Sequence, residues 1–215
     1  MTVDLSRNHV GFLRSCYLGA VSKAERREEL LAAARSVFAE RGYHEAKVGE
    51  IAAAANVAKG TVYLYFPDKR SIFVELIDNL FVRLSAAILR VDTEGDVTSQ
   101  IKHNIRAILS VLVDDPDTMK MLFAHATAVD PAFSAKIASF YDGLKQLLTE
   151  SLEDGQQLGI VAGGDARLFA TFTLGALKEI LWEGTQRPGA RRSREEIVSA
   201  LYELLERGYL RVDEP

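Results

Sequence analysis

Apolar residues recur at intervals of three and four along most of the chain, and no stretch alternates apolar with polar over the length of a strand. That periodicity predicts an all-α protein of nine helices. The first helix has an explicit start. Ser22 followed three residues later by Glu25 is a capping box, and "ELLAAARSVFAERG" puts Leu30, Leu31, Ala34, Val37 and Phe38 on one face before Gly42 ends the run. Two short segments follow, "VGEIAAAA" and "KGTVYLYF", separated by a turn at "NV". Asp68 is placed to cap a long helix from Lys69 to about Val91, with Ile72, Phe73, Leu76, Ile77, Leu80 and Leu84 as its apolar face. At "DPDT" and "DPAF", Asp115 and Asp130 take the cap position and Pro116 and Pro131 the first helical position. A helix of about twelve residues is expected between them, and a longer one after Pro131 running toward Gly155 or Gly159.

The last two helices, Asp165 to about Glu183 and Ser193 to about Arg207, carry apolar residues over more than one narrow stripe. Ser193 and Glu196 form a second capping box. A helix buried on two sides needs two neighbours, and a second copy of the same pair across a two-fold axis supplies one of them. Phe169, Phe172, Ala176 and Ile180 on the first helix, with Ile197, Leu201 and Leu204 on the second, are the candidate dimer interface. A monomer that buries both helices in its own core produces the same pattern.

Composition narrows the class. With 215 residues, 48% hydrophobic, 26% charged and five prolines, the chain is an ordinary soluble globular protein, either one large domain or a small domain joined to a larger one. Its single cysteine, Cys16, permits neither an internal disulfide nor a cysteine metal cluster, which suits a cytoplasmic location. Apolar runs such as "AILSVLV", Ala107 to Val113, fall far short of the roughly 20 residues of a membrane helix. Asp4 ahead of any basic residue, and Arg14 inside the apolar stretch, argue against a signal peptide. A first helix starting at Ser22 therefore leaves residues 1–21 as a flexible extension, or as residues upstream of the true start codon. The net charge of −4 is unevenly spread, with +2 over residues 22–70 and −7 over residues 71–215. A small basic head on an acidic body suits a polyanion-binding module joined to something that is not one, although chance variation gives a similar count.

The two short segments have the spacing of a helix-turn-helix, whose second helix enters the DNA major groove. On a helix starting near Lys59, the side chains of Lys59, Thr61, Tyr63 and, less clearly, Tyr65 point outward, while Val62 and Phe66 turn inward at i, i+4. Lysine and threonine can contact bases or phosphates, tyrosine hydroxyls donate to phosphate, and Gly60 permits close backbone approach. Lys69 adds a cation at the start of the next helix, where free N–H groups already favour phosphate. Tyr63 and Tyr65 would alternatively pack as core aromatics against the first helix. Arg26, Arg27 and His44 read as solvated surface or peripheral phosphate contacts.

The run "IAAAANVAKGTVYLYFPDK", preceded by "AARSVFAERGYHEAKV", resembles the DNA-binding domain of the tetracycline-repressor (TetR) family of bacterial regulators over roughly residues 24–72. The resemblance implies an N-terminal three-helix helix-turn-helix domain at residues 22–70 and a C-terminal helical domain at residues 71–215 that binds an effector and dimerises. It implies a homodimer on double-stranded palindromic operator DNA, acting as a repressor that a small-molecule effector releases. By match to the family pattern, Lys59, Gly60, Thr61, Tyr63, Tyr65 and Lys69 fall where DNA is contacted. Two positions depart from that pattern. Ala46 and Lys47 stand where threonines often open the second helix, so the charge of Lys47 replaces a hydroxyl contact to phosphate. Ala58 stands where a serine often caps the third, removing a cap worth about 1 kcal/mol.

"KVGEIA" with "GTVYLYF" is similar to the fatty-acid-metabolism regulators of the family that sense acyl-coenzyme A, which makes an acyl-CoA ester a candidate effector. Its pocket should lie between residues 95 and 185, with Phe123, Phe140, Tyr141, Phe172 and Trp182 as candidate walls and His103, Asn104, Arg106 and His125 as polar anchors. Simple core packing explains each aromatic equally well. Neither His103 nor His125 has a Glu three residues before it, and no nucleophile elbow, phosphate loop, HExxH or cysteine pair is present. No catalytic residue, metal or cofactor is therefore assigned. A helical adaptor that has lost DNA binding is the alternative, and the outward Lys59, Thr61, Tyr63 and Lys69 argue against it.

Overall fold

The computed structural model describes residues 22–113, 116–123, 131–187, 189 and 192–210, with side chains for all of these except 116, 123 and 131–133. Among the described residues the protein is all-α, with nine helices: α1 (Lys23–Arg41), α2 (Val48–Ala54), α3 (Lys59–Tyr63), α4 (Lys69–Ala87), α5 (Val97–Val113), α6 (Pro116–Phe123), α7 (Pro131–Gln157), α8 (Ala166–Gln186) and α9 (Arg194–Gly208). Residues 1–21 and the expected caps Asp115 and Asp130 lie outside the described residues.

The local signals act as their chemistry requires. Ser22 accepts from the Glu25 backbone while the Glu25 carboxylate takes the Ser22 N–H, and Ser193 and Glu196 do the same for α9. Asp68 caps α4 by accepting from the Ser71 N–H at 2.7 Å. The chain reverses between α2 and α3 through a Schellman turn. Val57 N–H donates to the Ala52 carbonyl and Asn56 N–H to the Ala53 carbonyl, with Asn56 at φ 53°. Asparagine is one of the few residues that occupies this left-handed region at small cost.

One expected boundary shifts. α4 stops at Ala87 rather than near Val91, because the Asn104 side chain takes both backbone groups of Leu89 (2.9 and 2.7 Å) and Ile88 turns extended. Of the helix of about twelve residues expected after Pro116, eight fall among the described residues as α6, and residues 124–130 lie outside them.

α1 packs on α2, α4 and α6, and α3 on α2. The body is built from α4 against α5 and α7, α7 against α8, and α5 against α9. α4 therefore belongs to both halves. Its stripe, Ile72, Phe73, Leu76, Ile77, Leu80 and Leu84, is buried along its whole length. Its first turns meet Phe38 and Tyr43, whose rings lie 6.2 and 5.2 Å from that of Phe73. Among the described residues, no helix is long and apolar enough to cross a membrane.

The turn at Asn56 yields a clean test. Asn56→Gly should leave stability within about 0.5 kcal/mol, whereas Asn56→Val should cost about 1–2 kcal/mol, because a β-branched residue is strained at positive φ. Urea unfolding of both variants checks this.

Candidate DNA-binding face and ligand cavity

α3 is only five residues long and is held by what lies beneath it. Val62 and Phe66, 0% and 1% exposed, anchor it to the core. On the outer face Lys59 and Gly60 are exposed, Thr61 is half-buried, and Tyr63 is exposed with its ring 6.0 Å from the Lys59 ammonium. No neighbouring atom lies within 4 Å of the position a Cβ would take on Gly60, so the backbone there is open. Lys47 is exposed at the start of α2, where Glu50 accepts its backbone N–H. Ala58 makes no side-chain cap, as its chemistry dictates. Tyr65 is half-buried against the core and sits less openly than Tyr63.

Two basic residues have roles that the sequence pattern did not reveal. The Lys69 ammonium donates to the carbonyls of Tyr43, His44 and Ala46 at 2.6, 3.0 and 2.9 Å, and lies 4.5 Å from the Tyr43 ring centre. An ammonium has three N–H donors, and these three carbonyls take them, so Lys69 ties the start of α4 to the turn between α1 and α2. Arg27 is not a solvated surface group. Its Nε and Nη2 grip both oxygens of Glu75 on α4, its Nη1 donates to the Tyr65 carbonyl at 2.9 Å, and its guanidinium lies 4.3 Å from the Phe66 ring centre. Glu75 holds the Arg27 pKa above its ordinary value, chiefly through this hydrogen-bonded pairing. Leu64, 77% exposed at the end of α3, was also missed. The inward spacing of Val62 and Phe66 places it on the opposite side of the helix, which is the signal that would have found it.

In the body, a cavity of about 210 Å³ lies between α4, α5, α7, α8 and α9. Its walls are aliphatic, with Leu84 and Ile88 at the end of α4, Ile105 and Ile108 on α5, Leu148 on α7 and Leu177 on α8. Polar groups are sparse. Asn104, Arg90 and Asp154 line part of the wall, the latter two as a loose, exposed ion pair at 4.0 Å. Thr173 and Tyr209 also contribute, their hydroxyls 2.7 Å apart. Thr173 donates to the Phe169 carbonyl, so the Tyr209 hydroxyl is the donor of that pair, and burial raises the phenol pKa.

The expected pocket residues whose side chains are described, Asn104 excepted, lie elsewhere. His103 is exposed, and Arg106 makes two 2.8 Å bonds to Glu195 that join α5 to α9. Phe140 and Tyr141 pack on each other, 5.6 Å between ring centres, and Phe140 sits edge-on to Phe81. Burial alone raises the Tyr141 pKa. Trp182 is half-buried against the core, and Phe172 is 61% exposed on the outer surface. The physical reason is packing: the rings fill the α4–α7 contact, whereas the aliphatic side chains leave the hollow. The Phe123 side chain and His125 lie outside the described residues.

The expected interface residues divide in two. Phe172 and Leu204 face outward with Leu168, and Ala176 and Ile180 are half-buried. Phe169 is half-buried and stacked on Tyr209 at 4.7 Å. Ile197 and Leu201, 5% and 4% exposed, belong to the chain's own core and cannot be presented to a second copy.

An exposed second helix of a helix-turn-helix, joined to a hollow helical body, has the form of a transcriptional regulator. Residues 30–76 match the family described as "Bacterial regulatory proteins, tetR family". The chain is 33% identical over 141 residues to an uncharacterized HTH-type transcriptional regulator of Bacillus subtilis, YdgC, across 63% of this chain and 68% of that one. Its fold matches the fatty acid degradation regulator FadR from Bacillus halodurans with a TM-score of 0.74 and 28% identity, over 86% of this chain and 99% of that one. FadR from Bacillus subtilis, solved in complex with stearoyl-CoA, matches with a TM-score of 0.70 and 26% identity, over 83% and 96%. The chain belongs to the TetR family of bacterial transcriptional regulators.

Lys69→Met keeps the aliphatic stem and removes the ammonium, leaving three carbonyls without their donor. It should lower stability by about 2 kcal/mol, the range of charge-assisted hydrogen bonds. Thermal unfolding of the purified variant measures it.

Proposed function

We propose that the protein is a cytoplasmic homodimeric repressor, released from palindromic operator DNA by a long-chain amphipathic effector of the acyl-CoA class. In this reading residues 22–70 form the DNA-binding head and residues 71–215 the effector-binding and dimerising body. One observation carries it: the apolar cavity is walled by Leu84 and Ile88 at one end of α4, and the other end of α4 begins beside the DNA-facing helix. An acyl chain filling the aliphatic cavity would press on the end of α4 and change the tilt of that helix. In a dimer that places two α3 helices in successive major grooves, about 34–36 Å apart, a change of tilt alters their separation. Release requires that the ligand bind the non-DNA-binding arrangement more tightly than the other. FadR from Bacillus subtilis, crystallised with stearoyl-CoA, supports this effector class by analogy.

On the DNA side, Lys47, Lys59, Thr61 and Tyr63 are the proposed contacts, with Gly60 permitting close approach and Leu64 offering an apolar contact to a thymine methyl or sugar. Tyr65 is a partial contact at most, and Lys69 is assigned to the turn it holds. The outward Phe172, Leu168 and Leu204 of α8 and α9 are proposed to meet their copies across the two-fold axis.

Titration of the upstream intergenic DNA in a mobility-shift assay, at stated salt, tests the central reading. A specific shift reversed by stearoyl-CoA is expected. Leu177→Trp, which fills the cavity, should shift the same DNA but need at least about tenfold more stearoyl-CoA for reversal, since the bulk occupies the ligand's volume. A shift indifferent to every acyl-CoA discards that effector, and no specific shift with this or with genomic DNA favours the adaptor alternative.

Phe172→Glu should convert the dimer to monomer in analytical ultracentrifugation, because an unpaired charge buried at an interface is strongly disfavoured. Retention of the dimer would remove α8 from the interface.

A further inference from the structure

We propose that Arg27 and Glu75 are positioning residues that lock the DNA-facing helix to α4 and so set which operator half-site spacing the dimer accepts. Three elements meet at this one guanidinium. Arg27 comes from α1, Glu75 from the second turn of α4, and the Tyr65 carbonyl from the segment that immediately follows α3. The group is held from several sides: Glu75 takes donors of Nε and Nη2, Tyr65 takes one of Nη1, and one face of the plane lies over the Phe66 ring, itself 1% exposed. A bidentate arginine–carboxylate pair fixes orientation as well as distance, which a lysine cannot reproduce.

The need for such a lock follows from the brevity of the connection. α3 ends at Tyr63 and α4 starts at Lys69. Val62 on α3 and Phe66 just beyond it are the buried anchors of this segment, and two anchors on so short a stretch define a position better than an angle. The pair supplies the missing angular constraint by tying the end of α3 to a side chain one turn into α4. The pair is also partly shielded, with the two side chains 37% and 27% exposed, so solvent and salt weaken it less than a fully exposed pair. The arrangement of Lys69 is complementary. It fixes the start of α4 to the α1–α2 turn, while Arg27 fixes α4 to the segment that touches DNA. With both in place, a tilt of α4 turns α3 as one body. Without the Arg27 pair, α3 swivels on its apolar anchors and adapts to DNA of the wrong spacing.

The inference rests on the operator-binding dimer proposed above, and the experiment separates the two. Duplexes are selected by the wild-type protein from a random pool. The best duplex is then rebuilt with one base pair inserted or removed between its half-sites, a change that shifts and rotates one groove relative to the other. Dissociation constants are measured for the wild type, Arg27→Met, Arg27→Lys and Glu75→Gln at one salt concentration. The wild type is expected to bind the altered duplexes at least about tenfold more weakly than the selected one, and the variants to narrow that ratio to about threefold or less. Because the ratio compares duplexes on one preparation, a fall in folded fraction cancels from it, and Arg27→Lys and Glu75→Gln preserve size if Arg27→Met folds poorly. An unchanged ratio in the variants, whatever their absolute affinity, overturns the positioning role. Failure of the wild type to select any duplex overturns the operator reading itself.

Discussion

The continuous apolar stripe of α4 is the constraint on which the rest of the molecule depends. Six side chains from Ile72 to Leu84 are buried on one helix face, and their neighbours change along its length, from the aromatic cluster of Phe38, Tyr43 and Phe73 at the start to the aliphatic hollow at Leu84 and Ile88. A helix with one face buried from Ile72 to Leu84 cannot shift at one end without a response at the other, because close-packed interiors transmit displacement rather than absorb it. That property makes a single helix sufficient to connect a cavity in the body to an exposed helix in the head. Just past its C-terminal end, the Asn104 amide takes both backbone groups of Leu89 and ties the exit of α4 to α5.

Charge in the head is divided between structure and surface. Lys69 and Arg27 are bound to carbonyls, a carboxylate and ring faces of the protein itself, and Lys47 and Lys59 remain exposed. The modest positive balance of residues 22–70 therefore overstates the cation available to a polyanion. Lys23, Arg41 and Arg70 are exposed as well, so position on the candidate face singles out Lys47 and Lys59, together with Gly60 open at the backbone, Tyr63 beside Lys59, and the exposed Leu64.

The body shows why pocket residues are hard to name from a chain alone. Phe140 and Tyr141 invite assignment as pocket walls because aromatic rings are common there, yet these rings pair with one another and with Phe81. The hollow is left where leucines and isoleucines from five helices fail to meet, and that depends on how far apart the helix axes lie, which no periodicity encodes. The same limit applies on α9. Leu201 and Leu204 are both apolar and both plausible interface residues, but Leu201 is buried along the wall of the hollow and Leu204 is left outside.

What the amino-acid order determined by itself is everything local. The capping boxes at Ser22 and Ser193, the Asp68 cap, the prolines that open α6 and α7, the buried faces of α1 and α4, and the outward Lys59 and Tyr63 all follow from bonds and spacings within a few residues. Tertiary structure decided the rest: that α4 ends at Ala87 because an asparagine fifteen residues beyond Leu89 claims its backbone, that Lys69 turns inward, that Arg27 meets a glutamate 48 residues away, and that the hollow is aliphatic. Each of these is a choice between partners distant in sequence. Such a choice is made by the relative placement of helices, and a single helix read alone carries no record of it.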